Sequence, residues 1–321
     1  VTLTVKRPTT TGSPEIRTLT LPDLERIRLR RHFRLDVEEV RLILESNPES
    51  SFWIPETDEL ILVGNWRNRT DLHAIHGLSA TANESALIAH AADHVRRRGL
   101  AALLMVDSDE TRRPAFYVRN GFTIVDRIAT YELSANRQDA IAAPRDDVTF
   151  AQVMPFDVES RREVEALDHL AFPWFWWNVD AEFDVYMRIP GVEIWIGIHD
   201  ERVVSYLGIT HYRGWGHLDR IATHPDSQRG GIGAASLEMA IRLLRVHGAK
   251  RIALSTQGEN VPAQRMYERR GFERTPVHDY TVYGIILDEE RFGPINEPTG
   301  STTLEAARGA RIRREDIKEQ G

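Results

Sequence analysis

The 321-residue chain has no cysteine. Disulfides, thiolate metal sites and a cysteine nucleophile are therefore excluded. Lysine is almost missing as well: Lys6, Lys250 and Lys318 are the only three among 41 basic residues. Such a bias follows from GC-rich coding, with adaptation to heat as the second cause. Excess positive charge is absent too, the net charge being −7. That removes the global basic field that nucleic-acid binding needs. No apolar run approaches the length of about 18 residues that spans a bilayer. The first residues, VTLTVKRPTTTGSPEI, lack the apolar core of a signal peptide. The expectation is a cytoplasmic protein without nucleic-acid or membrane partners. What remains is ordinary globular composition, 41% hydrophobic and 28% charged, on a chain long enough for two domains.

The most informative stretch runs from His217 to Phe272. Leu218 to Thr223 alternates apolar and polar and stops at His224-Pro225, where proline removes a donor. Gln228-Arg229-Gly230-Gly231-Ile232-Gly233 follows, and from Ile232 the apolar residues fall at helical spacing until His247-Gly248. Arg251 to Ser255 is a short strand, and Pro262 opens a second helix. Glycines before a helix let successive N–H groups approach a ligand, and the helix start adds partial positive charge. The turn thus reads either as a cradle for a phosphate or pyrophosphate or as a plain tight turn. It is neither a Walker loop nor the dinucleotide fingerprint, because the spacing differs from both.

Gln228-x-x-Gly231-x-Gly233 resembles the coenzyme A pyrophosphate loop of the GNAT acetyltransferase superfamily. Asn260-x-x-Ala263-x-x-x-Tyr267-x-x-x-Gly271-Phe272 resembles that family's second signature, at the usual distance downstream. The resemblance is direct over about residues 147–288. It implies acetyl-coenzyme A as acyl donor and an N-acetyltransferase acting by direct attack in a ternary complex. It further implies backbone contacts to the pantetheine arm from Ile221, Ala222 and Thr223. Gln228, Arg229, Gly230, Gly231, Ile232, Gly233 and Ala234 would cradle the pyrophosphate. Asn260 would contact the cofactor, and Tyr267 would protonate the departing thiolate. The competing class is a non-catalytic acyl-coenzyme A sensor or scaffold, against which Asn260 and Tyr267 speak.

The first half echoes the second. Arg98-Gly99-Leu100 mirrors His247-Gly248-Ala249, and Phe116 to Phe122 (FYVRNGF) mirrors Met266 to Phe272 (MYERRGF). Where the glycine loop should stand, Leu78 to Asn83 contains no glycine, and Glu110 stands in place of Asn260. The expected fold is therefore two tandem α/β (α+β) domains of acetyltransferase type. Each has a mixed, mostly antiparallel central sheet flanked by helices. Residues 1–138 form a degenerate domain without a cofactor loop, 147–290 the catalytic domain, and 291–321 a charged tail. The small, polar stretch Ser134 to Asp147 is the linker. Because Tyr117 occurs where no cofactor loop exists, part of the reason for Tyr267 is packing.

A lysine-like amine at pH 7 is neutral in only about 1 molecule in 2,500, a deficit of about 4.6 kcal/mol that a base must recover. Where family members carry a glutamate base on this strand, it often lies four residues before the Ile221 position. Here that residue is His217, with Asp219 on the same face. The pair reads as base and partner or as a solvated strand end. Trp174, Phe175, Trp176 and Trp177 read as a core corner or as lining for the acceptor pocket. Asp180, Glu182 and Asp184 would suit a cationic acceptor or mark a solvated helix start. His90 and His94 have metal-ligand spacing but no third ligand, so no metal is expected. The expected acceptor is a small-molecule or peptide amine, and a homodimer is allowed.

Overall fold

A computed structural model describes residues 14–27, 35–107, 112–134 and 145–292. Most of the expected linker, Glu110, and the tail from 293 lie outside these residues. The first half runs β1 (Arg17–Thr18), α1 (Val37–Ser46), β2 (Phe52–Ile54), β3 (Glu59–Asn65), β4 (His73–Ser79), α2 (Glu84–Arg97), β5 (Ala102–Val106), α3 (Pro114–Arg119) and β6 (Thr123–Ser134). The second runs β7 (Thr149–Val153), α4 (Val158–Ala171), α5 (Asp180–Met187), β8 (Val192–His199), β9 (Arg202–Tyr212), β10 (Trp215–Thr223) and α6 (Ile232–Val246). It ends with β11 (Arg251–Gln257), α7 (Val261–Arg269), β12 (Glu273–Arg274), β13 (Tyr280–Ile286) and α8 (Glu289–Phe292).

Local chemistry accounts for the boundaries. Asp36 caps α1, its side chain accepting from Glu39 N at 2.9 Å while Glu39 reaches back to Asp36 N at 3.0 Å. Asp200 and Glu201 both take positive φ, 47° and 60°, and turn β8 into β9. Pro262 opens α7 where its missing N–H costs nothing. Apolar spacing in the sequence predicts helices over 80–98 and 232–246 and strands over 59–66, 192–199 and 202–211; all are present within a few residues, whereas β1, β2 and β4 are additions.

The two halves share one sheet, in the order β1-β2-β3-β4-β5-β13-β6-β11-β10-β9-β8-β7, with β12 also on β6. Among the described residues, only β4–β5 and β10–β11 are parallel pairs. The order shows an exchange at the centre. β6, from the first half, pairs through Ile128 to Ser134 with the whole of β11 from the second. β13, from the second half, inserts between β5 and β6. Aromatic residues reinforce the junction: Trp66 stacks on Phe175 at 5.7 Å, and Trp176 Nε1 donates to Asp126 at 2.7 Å. Buried Arg67 reaches Glu182 at 3.4 Å and also donates to Asn178, while Asn68 N donates to Glu182 at 2.8 Å.

Candidate active site in the second half

The site begins where two parallel strands part. β10 and β11 are in register from Trp215↔Arg251 to Leu218↔Leu254 and no further. Beyond Leu218, β10 continues on β9 alone, so its other edge, Asp219 to Thr223, turns alternate backbone groups into the gap. A bulge starts the divergence: Leu218 faces Ile209 and Arg220 faces Gly208, leaving Asp219 as the extra residue. The gap leads to the glycine turn. Arg229 (φ 62°) and Gly231 (φ 85°) are left-handed on either side of Gly230, an arrangement that points successive N–H groups outward before α6 starts at Ile232. At Gly233 a Cβ would meet Thr223 Oγ1 at 3.3 Å, so glycine lets the first turn of α6 close on the end of β10. Residues 228–231 are exposed and open to a ligand.

Arg145 was not singled out by sequence. Its Nη1 donates to the Gly230 carbonyl, and Asp147 holds its other nitrogens. A cation is thereby brought to the positive end of a helix, where an anion would stabilise both.

Behind the gap, buried Asp219 collects donors. His217 Nδ1 lies 2.7 Å from one carboxylate oxygen, while Tyr186 and Thr210 (2.6 Å) donate to the other. His217 is 2% exposed and Asp219 fully buried. Burial first, and the Asp219 charge second, push the Tyr186 phenol well above its usual range, so it stays a donor. A second buried carboxylate, Asp168, binds Arg220 at 2.6 Å and accepts from Tyr206, fixing α4 beneath β10.

The other expected residues are distributed as follows. Asn260 caps α7, Oδ1 accepting from Ala263 N at 3.2 Å and Nδ2 donating to Thr256 at 3.3 Å. Tyr267 is buried with Tyr131 and Phe272 around it. Phe175 and Trp176 are buried in the junction, whereas Trp174 and Trp177 are only half-buried. Asp180 and Asp184 are engaged by Arg161 and Arg188, and Glu182 is buried with Arg67 rather than solvated. Asp126, on β6, is pushed up to about 6 by burial against the Trp176 hydrogen bond that lowers it. His90 and His94 pack their rings on Phe52.

The first half repeats this architecture with a carboxylate in the equivalent turn. β4 carries a matching bulge at His76, and β4–β5 pair only at His73↔Leu103 and Ala74↔Leu104. Residues 80–83 connect β4 to α2 where 224–231 connect β10 to α6, so the first turn is half as long. The Glu59 carboxylate occupies it, accepting from Thr81 N at 2.6 Å and Ala82 N at 2.8 Å and also from the Asn83 side chain. By register the matching residue on β9 is Ser205, which carries no charge.

Residues 157–272 match the family described as "Acetyltransferase (GNAT) family". A mycothiol acetyltransferase of Beutenbergia cavernae is 37% identical over 70 residues, 22% of this chain and 23% of that one. Another, from Saccharomonospora viridis, is 29% identical over 121 residues, 37% and 36% of the two chains. The match thus spans between about a quarter and about a third of these relatives' length. A GCN5-related N-acetyltransferase from Sphaerobacter thermophilus superposes with TM-score 0.57 at 13% identity, covering 89% of this chain and 97% of that one. A tandem GNAT protein from the clavulanic acid biosynthesis pathway gives 0.54 at 14%, covering 85% and 98%. At these identities the structural likeness shows the fold.

Proposed function

We propose that this chain, which carries the GNAT acetyltransferase fold and matches that family over residues 157–272, is an acetyl-coenzyme A-dependent N-acetyltransferase acting on an amine in a ternary complex. The observation that carries the reading is the gap between β10 and β11 beyond Leu218, ending at the left-handed glycine turn of α6. Acetyl-coenzyme A would supply the acyl group as a thioester. The N–H groups of residues 229–234 would hold its pyrophosphate, with Arg145 adding charge, and the edge of β10 from Ile221 to Thr223 would hold the pantetheine arm. Asp219, 2.7 Å from His217 Nδ1, would hold the ring proton there and leave Nε2 to take a proton from the acceptor amine. Tyr267 would return a proton to the leaving sulfur. The relatives' name does not carry their acceptor over, because the matched stretch is a minority of their length.

The burial of His217 and Asp219 favours a second reading, an acyl-coenzyme A sensor without catalysis, since a base must meet its acceptor. Release of coenzyme A with a panel of amines separates the two. The chain has no cysteine, so a thiol reagent reports the released coenzyme A alone. Calorimetry should give one coenzyme A per chain. Gly231→Glu, which puts a side chain and a negative charge into the cradle, should abolish binding while lowering the thermal midpoint by no more than a few degrees. Two sites per chain, or binding that survives Gly231→Glu, would put the cradle elsewhere.

A further inference from the structure

Away from the gap, on the α6 face of the sheet, three ligand-type side chains converge. Glu193 is near the start of β8, His211 near the end of β9, and His247 directly follows α6. One ligand atom from each lies within 4.8 Å of the others. His247 Nε2 is 2.6 Å and His211 Nε2 3.8 Å from the same oxygen, Glu193 Oε1. The two imidazoles lie parallel with centroids 3.8 Å apart. Trp195 Nε1 donates to the other Glu193 oxygen at 2.8 Å and so orients the carboxylate. The backbones are fixed independently: His211 N donates to Gly191 O at 2.9 Å, and His247 N to Leu243 O at 3.0 Å.

We propose that Glu193, His211 and His247 form a binding site for one divalent transition ion of the zinc class. Two imidazoles and a carboxylate select zinc, cobalt or nickel over magnesium or calcium. A tetrahedral ion with ligands at about 2.0–2.2 Å places those atoms about 3.3–3.5 Å apart. The Glu193–His247 contact would open by under an ångström and His211 would close by less, the rings fanning around the carboxylate. The side chains are 14–31% exposed, which allows an ion to enter and leaves a fourth position for water. The C-terminal end of the 15-residue helix α6 adds partial negative charge beside His247. His211 pairs with Gly216, seven residues before Thr223, so the site lies roughly 23 Å along β10 from the cradle. An ion there takes no part in acyl transfer; it clasps the far end of the helix whose start forms the cradle.

The test is a cobalt(II) titration of the tag-free, metal-stripped full chain, followed by visible absorption. One equivalent should bind, be displaced by zinc, and raise the thermal midpoint. His211→Ala and His247→Ala should each weaken binding at least tenfold, with folding checked by circular dichroism. Glu193→Gln, which keeps the shape, should do the same and serves if a histidine variant unfolds. The His90→Ala/His94→Ala variant should bind as before. No stoichiometric cobalt at 0.1 mM, or binding retained when Glu193 and the histidines are changed, overturns the proposal.

Discussion

Tyr267 and Tyr117 occupy the same Tyr-x-x-x-Gly-Phe motif, one on α7 and the other on α3, and both are at most 1% exposed. Their neighbours differ. Tyr117 lies face to face with Tyr283 at 3.6 Å, while Tyr267 is tilted against Tyr131 at 6.1 Å. Ring packing explains the aromatic in both places and leaves the hydroxyl to be tested. If Tyr267 is the acid, Tyr267→Phe should cut the chemical step at least tenfold in a single turnover with little change in coenzyme A affinity. Tyr117→Phe should leave it unchanged. A fully active Tyr267→Phe would make the hydroxyl structural. For the base, His217→Ala should raise the pH of half-maximal rate towards the free amine's pKa, with Asp219→Asn as control; an unmoved profile assigns the base elsewhere. The His217–Asp219 pair was legible because strand residues two apart share a face. Tyr186 and Thr210 were not, because their contacts with Asp219 depend on a bulge and on an α5 that the sequence marks only by its acidic residues.

At the scale of elements, one βα turn holds a ligand-ready loop and its counterpart holds Glu59. Periodicity made α2, α6 and the β8–β9 hairpin legible. It missed β4, whose sequence HAIHGLS alternates poorly and bulges at His76. The missing glycine in the first half was also legible, but the carboxylate seated in that turn was not, since it arrives from the neighbouring strand. Burial pushes the Glu59 carboxyl up, yet the N–H groups of Ala82 and Thr81 and the side chains of Asn83 and Thr81 outweigh it and hold it at about 2. A depressed carboxyl stabilises the fold above its unfolded pKa, near 4.5, and that contribution is lost as pH falls from there towards 2. Glu59→Gln should cost on the order of 1–3 kcal/mol in urea unfolding at pH 7. The difference from the natural chain should shrink between pH 4.5 and 2. A difference independent of pH would mean that the charge contributes nothing. The variant should also gain no second coenzyme A, because residues 80–83 remain half as long as the turn they mirror.

For the whole molecule, the internal repeat marks two units in sequence, while the sheet joins them by exchange. Strand order is set by pairings between residues far apart in the chain, and a single sequence carries little trace of it. Cutting between residues 134 and 145 would leave β11 without the seven-residue pairing from Arg251↔Ser134 to Gln257↔Ile128. It would leave β13 in one fragment and both its partners, β5 and β6, in the other. Each fragment would then expose a long unpaired edge and the apolar face that joins Val125, Ile128 and Val282 to Phe175 and Trp176. Buried Arg67 and Glu182 would each lose a charged partner, which costs more than an exposed pair would. Residues 145–292 alone should therefore aggregate or lack a cooperative thermal transition, even though they contain every residue assigned to the cradle. Co-expression with residues 1–144 should restore a single complex with one transition and coenzyme A binding, because the missing strands are supplied in trans. Size-exclusion chromatography and calorimetry would read both. If the second fragment alone is monomeric, unfolds cooperatively and binds coenzyme A as the full chain does, the exchanged strands do not hold the halves together. The first half would then be an accessory rather than part of the domain that binds.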